Sequence, residues 1–270
     1  MENQTQDSIP LPTATNALRL ASSLLQEHPS LLMPPLLMLV MTSALVGAAP
    51  SALTVVSLGL LNLAVTGGWY SLILIAARKE PLRWDDFLAG VGRHFYPLVS
   101  GTMLFFCAMM AVILPLTFIG LRWAGDPRKL PLAQLQQQVA KGNLSIAPQW
   151  MDLLTRWSVI LLVALAVYAL LSYFLLLWNQ VVVLERTHWI KAWAKSARMA
   201  IQFWKPLCAI LTVNGLAWLV AVLLKLVGGG FAGAVLASFA SLVAEIYFRT
   251  AYTTFTFLAL PPPAEAAEAE

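Results

Sequence analysis

Glu245 and Arg249 stand four residues apart inside a long apolar run, and they carry the strongest chemical signal in the chain. A spacing of four puts both side chains on one helix face. Charge at membrane depth is expensive, so it marks either a functional group or a paired structural one. Counted from Phe231 at about 1.5 Å per residue, Glu245 lies roughly 21 Å into its run. Two readings stand. One is a carboxylate coupled to protons or substrate, with an arginine partner. The other is an intrahelical pair whose Arg249 extends to the headgroups. The other apolar runs hold the uncharged polar residues Asn62, Thr66, Asn179, Gln180 and Asn214. Such groups hydrogen-bond between membrane helices for about 0.6 kcal/mol each. Asn62, Asn214 and Glu245 are the set that would converge on one polar cavity.

A second signal is a row of cations. Lys191, Lys195, Arg198, Gln202 and Lys205 follow one another at spacings of four, three, four and three, which is one stripe of a helix. Ile190, Trp193, Ala197, Ala200, Ile201 and Trp204 form the opposite stripe. A basic face backed by aromatic anchors is the pattern of a helix lying in the headgroup plane. Each cation near an anionic leaflet contributes about 1 kcal/mol. Lys191, Lys195, Arg198 and Lys205, with Arg93 from an earlier stretch, are therefore the expected contacts for anionic headgroups.

Catalytic arrangements do not assemble. His28, His94 and His188 are the three histidines, and they share no register. No HExxH, phosphate-binding glycine loop or GxSxG elbow occurs, so no metal, cofactor or enzymatic activity is expected. Cys107 and Cys208 lie within apolar runs and read as small apolar residues rather than a disulfide. The basic charge is of the membrane-surface kind, and no nucleic-acid partner is expected.

The elements that must position these residues are membrane spans. The chain is 59% apolar and 11% charged, with mean hydropathy +0.75, whereas a soluble domain has roughly 25% charged residues. About 20 apolar residues cross a bilayer. Six runs qualify: Leu31–Ala49, Ser51–Ala77, Tyr96–Trp123, Trp157–Glu185, Pro206–Gly228 and Phe231–Leu260. They are continuously apolar rather than alternating, which excludes a barrel pattern. The fold class is thus all-α integral membrane, with six transmembrane helices. No cleavable signal peptide is expected before them. Pro115 within the third run predicts a kink.

The runs are organised as three repeats of in-plane amphipathic helix, proline elbow and helical hairpin. Pro29, Pro97 and Pro206 each follow an amphipathic stretch, and each precedes two apolar runs. At an offset of 109 residues Trp69 matches Trp178, Trp84 matches Trp193, and Pro97 matches Pro206. Proline suits a first helical turn and drives its predecessor out of the α region, which would separate the in-plane helix from its span. Residues 1–260 form one polytopic domain with modules 13–77, 81–185 and 190–260. An external insertion, 124–156, breaks the repeat. It is expected to hold short helices over Pro131–Lys141 and Pro148–Trp157, and Asn143-Leu144-Ser145 matches a glycosylation acceptor. Residues 261–270 form a disordered acidic tail. Ten Lys and Arg fall on the side of the amphipathic stretches and six on the other. The positive-inside rule then puts both termini in the cytoplasm of a multi-pass protein of the cell's inner (plasma) membrane.

This module resembles that of uncharacterised prokaryotic six-span membrane proteins related to the membrane domain found beside glycerophosphodiester phosphodiesterases. The residues carrying the resemblance are Leu20, Pro29, Leu32 and Pro34; Phe87 and Pro97; and Ala194-Lys195-Ser196-Ala197-Arg198 through Trp204-Lys205-Pro206-Leu207. No soluble catalytic domain like that of the phosphodiesterase form is expected within these residues, so the resemblance implies no phosphodiesterase activity here.

Two functions follow. The first is a non-enzymatic protein that organises lipid, or a partner protein, at the cytoplasmic leaflet, with membrane lipids as its partners and a second copy or another membrane protein left open. The alternative is a carrier or exporter of an amphipathic, lipid-like substrate, its path lined by Glu245 and the asparagines. A polar cavity at mid-membrane favours the second, and a tightly packed apolar bundle the first. A threefold repeat offers no obvious rocking pair for a carrier.

Overall fold

The computed structural model describes residues 11–48, 52–126 and 148–260. Among them every regular element is helical. Helices α1 (Ala14–Glu27), α2 (Met33–Ala48) and α3 (Ala52–Ala77) come first, with a short 3-10 turn at Pro29–Leu32 between the first two. Then follow α4 (Trp84–Trp123), α5 (Pro148–Phe174), α6 (Trp178–Glu185), α7 (Trp189–Gln202), α8 (Trp204–Gly228) and α9 (Gly230–Ala259). Five helical stretches are long and apolar enough to cross a bilayer: 54–77, 84–123, 151–185, 204–228 and 232–259. The chain is thus an all-helical protein of multi-pass membrane type. The first apolar run gives the 16-residue α2, about 24 Å long at 1.5 Å per residue against a hydrocarbon core of about 30 Å. The expected turn at Ala48-Ala49-Pro50, the helix at Pro131–Lys141, the Asn143 acceptor and the acidic tail lie wholly or partly outside the described residues.

The chain divides into two compact units, one of residues 1–101 with 174–270, the other of residues 102–173. In the first unit α8 and α9 pack as a hairpin, α1 lies along α9, and α3 packs against α2, α6 and α9. Its core joins Leu24, Leu31, Trp69, Ile73, Phe87, Val183 and Ile246. Glycine sets the closest approach. A Cβ on Gly68 would stand 2.6 Å from the Phe87 ring, so α3 and α4 meet there only because Gly68 has none. In the second unit Gly120 faces the Trp157 ring, and Trp157 Nε1 donates to the Gly125 carbonyl at 3.0 Å. Arg156 pairs with Asp152 at 2.8 Å and donates to the Trp123 carbonyl at 3.0 Å. Many large apolar residues of this unit are exposed, Leu161, Leu162 and Leu165 among them, as lipid-facing positions of a membrane protein are.

Three expectations need correction. The elbow at Pro97 is not formed: α4 runs unbroken for 40 residues from Trp84 through Pro97 and Pro115 to Trp123. Each proline ring removes one hydrogen bond, that to the carbonyl four residues earlier (Arg93 and Ala111), a loss that membrane helices tolerate. Separately, Ser100 Oγ donates to the Tyr96 carbonyl at 2.9 Å and Thr117 Oγ1 to the Ile113 carbonyl at 2.8 Å. At the other two prolines the helix does break, after His28 and at Phe203. Second, the fourth apolar run is not one helix. It is interrupted by a turn at residues 175–177. The buried Ser196 of α7 bridges that break: its Oγ donates to the Phe174 carbonyl at 2.8 Å and accepts from the Leu177 amide at 3.2 Å. Third, the apolar stripe of α7 is split between two environments. Ala200 is buried, Trp193 and Ala197 are half-buried, and Ile190, Ile201 and Trp204 are exposed. Helix α6 packs on α7, whose buried face is Ala192, Ser196, Met199 and Ala200.

Candidate functional site

Two groups of sequence-predicted residues come together, in two different places. The first surrounds a cavity of about 420 Å³ between α2, α3 and α9. Asn62, Thr66, Glu245 and Arg249 supply much of its polar lining, and Met38, Leu39, Leu58 and Leu242 belong to its apolar wall. Arg249 pairs with Glu245 at 2.6 Å across one helical turn. Its guanidinium also donates to Thr66 Oγ1 at 3.3 Å and approaches the Tyr70 hydroxyl. Tyr70 in turn accepts from Gln180 Nε2 at 3.4 Å. Arg249 is therefore turned toward α3, into a network that joins α9, α3 and α6. The pair stays partly open, with the Glu245 side chain 43% and the Arg249 side chain 29% exposed.

The polar residues do not all converge. Asn214 does not line this cavity; it lies beside Tyr252 on the adjoining helix. Asn179 sits next to Gln180 in α6, and its Oδ1 has no hydrogen-bond partner among the described residues. Tyr70 is the member that sequence reasoning missed. The signal was available: Asn62, Thr66 and Tyr70 repeat every four residues, one polar stripe down an otherwise apolar α3.

The second group lines a cleft of about 460 Å³ between the end of α6, the basic face of α7 and the end of α9. Lys191, Lys195 and Arg198 face it, and Glu185 is ion-paired with Lys195. One acid thus partly offsets three cations. Lys205 stands apart, its ammonium 5.8 Å from the centre of the Trp204 ring. Arg93 is elsewhere, in a third cavity with Arg78 and Arg186. Away from the cleft, Ile190 and Ile201 of α7 and Trp204 at the start of α8 remain exposed, and the Trp193 ring meets the rings of Trp178 and Trp189 edge to face. Helix α7 therefore carries a cationic cleft on one side and uncovered isoleucines on another, the two kinds of surface that an amphiphile's head and chain require.

Among the described residues no cluster of His, Cys, Asp and Glu has the arrangement of a metal site. No family model, curated protein or solved structure matches this chain.

Proposed function

We propose that this is a non-enzymatic, multi-pass membrane protein that gathers anionic lipid at the cytoplasmic leaflet. The observation that carries the proposal is the three-way division of α7. Ala192, Ser196, Met199 and Ala200 seat it on the protein, Ile190 and Ile201 stay exposed, and Lys191, Lys195 and Arg198 share one cleft. A helix buried only for its own sake would turn Ile190 and Ile201 inward, and they are 57% and 66% exposed. In this reading α2 acts as a sixth span, the threefold repeat is the ancestral plan, both termini face the cytoplasm of the inner membrane, and the kinship with six-span membrane domains is one of architecture without phosphodiesterase chemistry. The test is lipid enrichment around the full-length chain in nanodiscs of mixed anionic and zwitterionic phospholipid, read by native mass spectrometry. Wild type is expected to retain anionic lipid, and K191Q/K195Q/R198Q to lose that preference. Equal retention of both lipids by wild type rejects the proposal.

A second reading, a carrier of an amphipathic molecule, is favoured by the cavity at Glu245 and Arg249. An apolar wall ending on a paired carboxylate and guanidinium suits a molecule with a polar head and an apolar body. Glu245→Gln should then abolish flux of such a substrate in proteoliposomes, and unchanged flux removes Glu245 from the path.

A further inference from the structure

We propose that Arg78, Arg93, Arg186 and His94 form a binding site for a phosphoryl group, separate from the α7 cleft. The four line a cavity of about 320 Å³. Arg78 follows the end of α3, Arg93 and His94 lie in the amphipathic first part of α4, and Arg186 caps α6. Glu80 and Asp86 line the same cavity, yet among the described residues none of these three arginines is ion-paired. His94 is 4% exposed, and its imidazole ring makes no hydrogen bond to the described residues. Arg78, Arg93 and Arg186 are exposed, and three guanidiniums against the two carboxylates Glu80 and Asp86 leave the lining with a formal charge of +1, which favours a bound anion. Guanidinium forks match phosphate oxygens two bonds at a time, and an imidazole N–H adds a single donor.

The backbone bears on the same point. Lys79 and Arg186, at φ 60° and 50°, are the non-glycine residues with left-handed backbone among those described. That conformation is unfavourable for a residue with a Cβ, and it persists where the surrounding structure requires it. Both turns fall directly after a helix, and together they hold Arg78 and Arg186 at one cavity. Glycine brings the remaining pair in. A Cβ on Gly90 would stand 2.5 Å from Ser71 Oγ, and one on Gly67 would stand 3.2 Å from the His94 Cβ, so α4 lies tightly on α3 at the level of Arg93 and His94. Cations at helix C-termini are favourable in themselves, which accounts for Arg78 and Arg186. It does not account for Arg93 or for the unbonded His94.

Phosphate chemistry of this kind is presented by a free phosphate ion or by a phosphomonoester lipid headgroup, and two arms separate them. Full-length protein in neutral detergent is titrated with inorganic phosphate against chloride at matched ionic strength, with the thermal unfolding midpoint as readout. The same protein in phosphatidylcholine nanodiscs, with and without phosphatidic acid, forms the second arm. Wild type is expected to be stabilised in at least one arm. Arg93→Gln and Arg186→Gly should each weaken that response about tenfold; glycine at 186 keeps the left-handed turn and removes only the charge. Arg93→Lys, which lacks the fork, should fall between. With inorganic phosphate K191Q/K195Q/R198Q should respond as wild type does, and in the phosphatidic acid arm it serves as the background, because it removes the response of the α7 cleft and what remains should still be lost with Arg93→Gln. Stabilisation by free phosphate assigns a soluble ligand, and stabilisation by phosphatidic acid alone assigns a headgroup. No response in either arm overturns the proposal, and so does a response that Arg93→Gln and Arg186→Gly leave intact.

Discussion

Helices α1 and α7 are both amphipathic, both 14 residues long, and both followed by a break and then an apolar helical stretch. Their apolar faces meet different surroundings. In α1 the face goes into protein: Ala17, Ala21 and Leu24 are buried, and its remaining leucines are half-buried. Polar bonds fix it to α9, with Thr254 Oγ1 donating to the Ala17 carbonyl at 3.0 Å and the Tyr247 hydroxyl to the Leu18 carbonyl at 3.1 Å. In α7 the buried residues are Ala192, Ser196, Met199 and Ala200, while Ile190 and Ile201 stay out. Amphipathicity alone therefore does not tell the two helices apart. The large apolar residues left exposed do: α1 leaves no leucine exposed, whereas the two isoleucines of α7 need another solvent.

The comparison can be broken or sharpened by substitution. The largest effect is expected from Ala21→Asp, which buries an unpaired charge between α1 and its neighbours. A loss of about 3–5 kcal/mol follows, seen as a collapse of the thermal midpoint in detergent; an unchanged midpoint would mean that α1 is not docked as described. Next, Ser196→Ala removes the acceptor of the Leu177 amide inside an apolar setting, for a loss of about 1–3 kcal/mol. Thr254→Val should cost less, about 1 kcal/mol, because it removes one neutral hydrogen bond to α1. The smallest effects are expected on the outer face of α7. Ile201→Ser with Trp204→Phe should shift stability by no more than about 0.5 kcal/mol. The Trp204 contribution to fluorescence should be quenched by brominated lipid in wild type. Failure of quenching would place Trp204 in water and cancel the contrast with α1.

The sequence made much of this visible, and the residues show where it stopped. The second, fifth and sixth apolar runs become α3, α8 and α9 within a few residues, since continuous apolar length is a strong signal. The basic stripe of α7 was legible from spacing alone. Pro97 was not, because proline's local rule costs a single hydrogen bond, which a 40-residue helix otherwise continuous on both sides tolerates. The break at residues 175–177 was hidden for a related reason: the residues there are all leucine, and their partner is Ser196, 19 residues from Leu177. Glu245 and Arg249 were legible as a pair, but the contacts of Arg249 with Thr66 and Tyr70 depend on which face of α3 meets α9. The same holds for Asn214, whose polarity announced a partner without naming Tyr252.

The bridge made by Ser196 has a consequence for the order of assembly. The fourth apolar run is synthesised before α7, so its broken backbone enters the membrane while the serine that completes it is still to come. The Leu177 amide acquires its acceptor only when α7 folds back along α6. Docking of α7 thus supplies the last backbone partner of the turn at residues 175–177, and any change that separates α7 from α6 leaves the Leu177 amide without its acceptor.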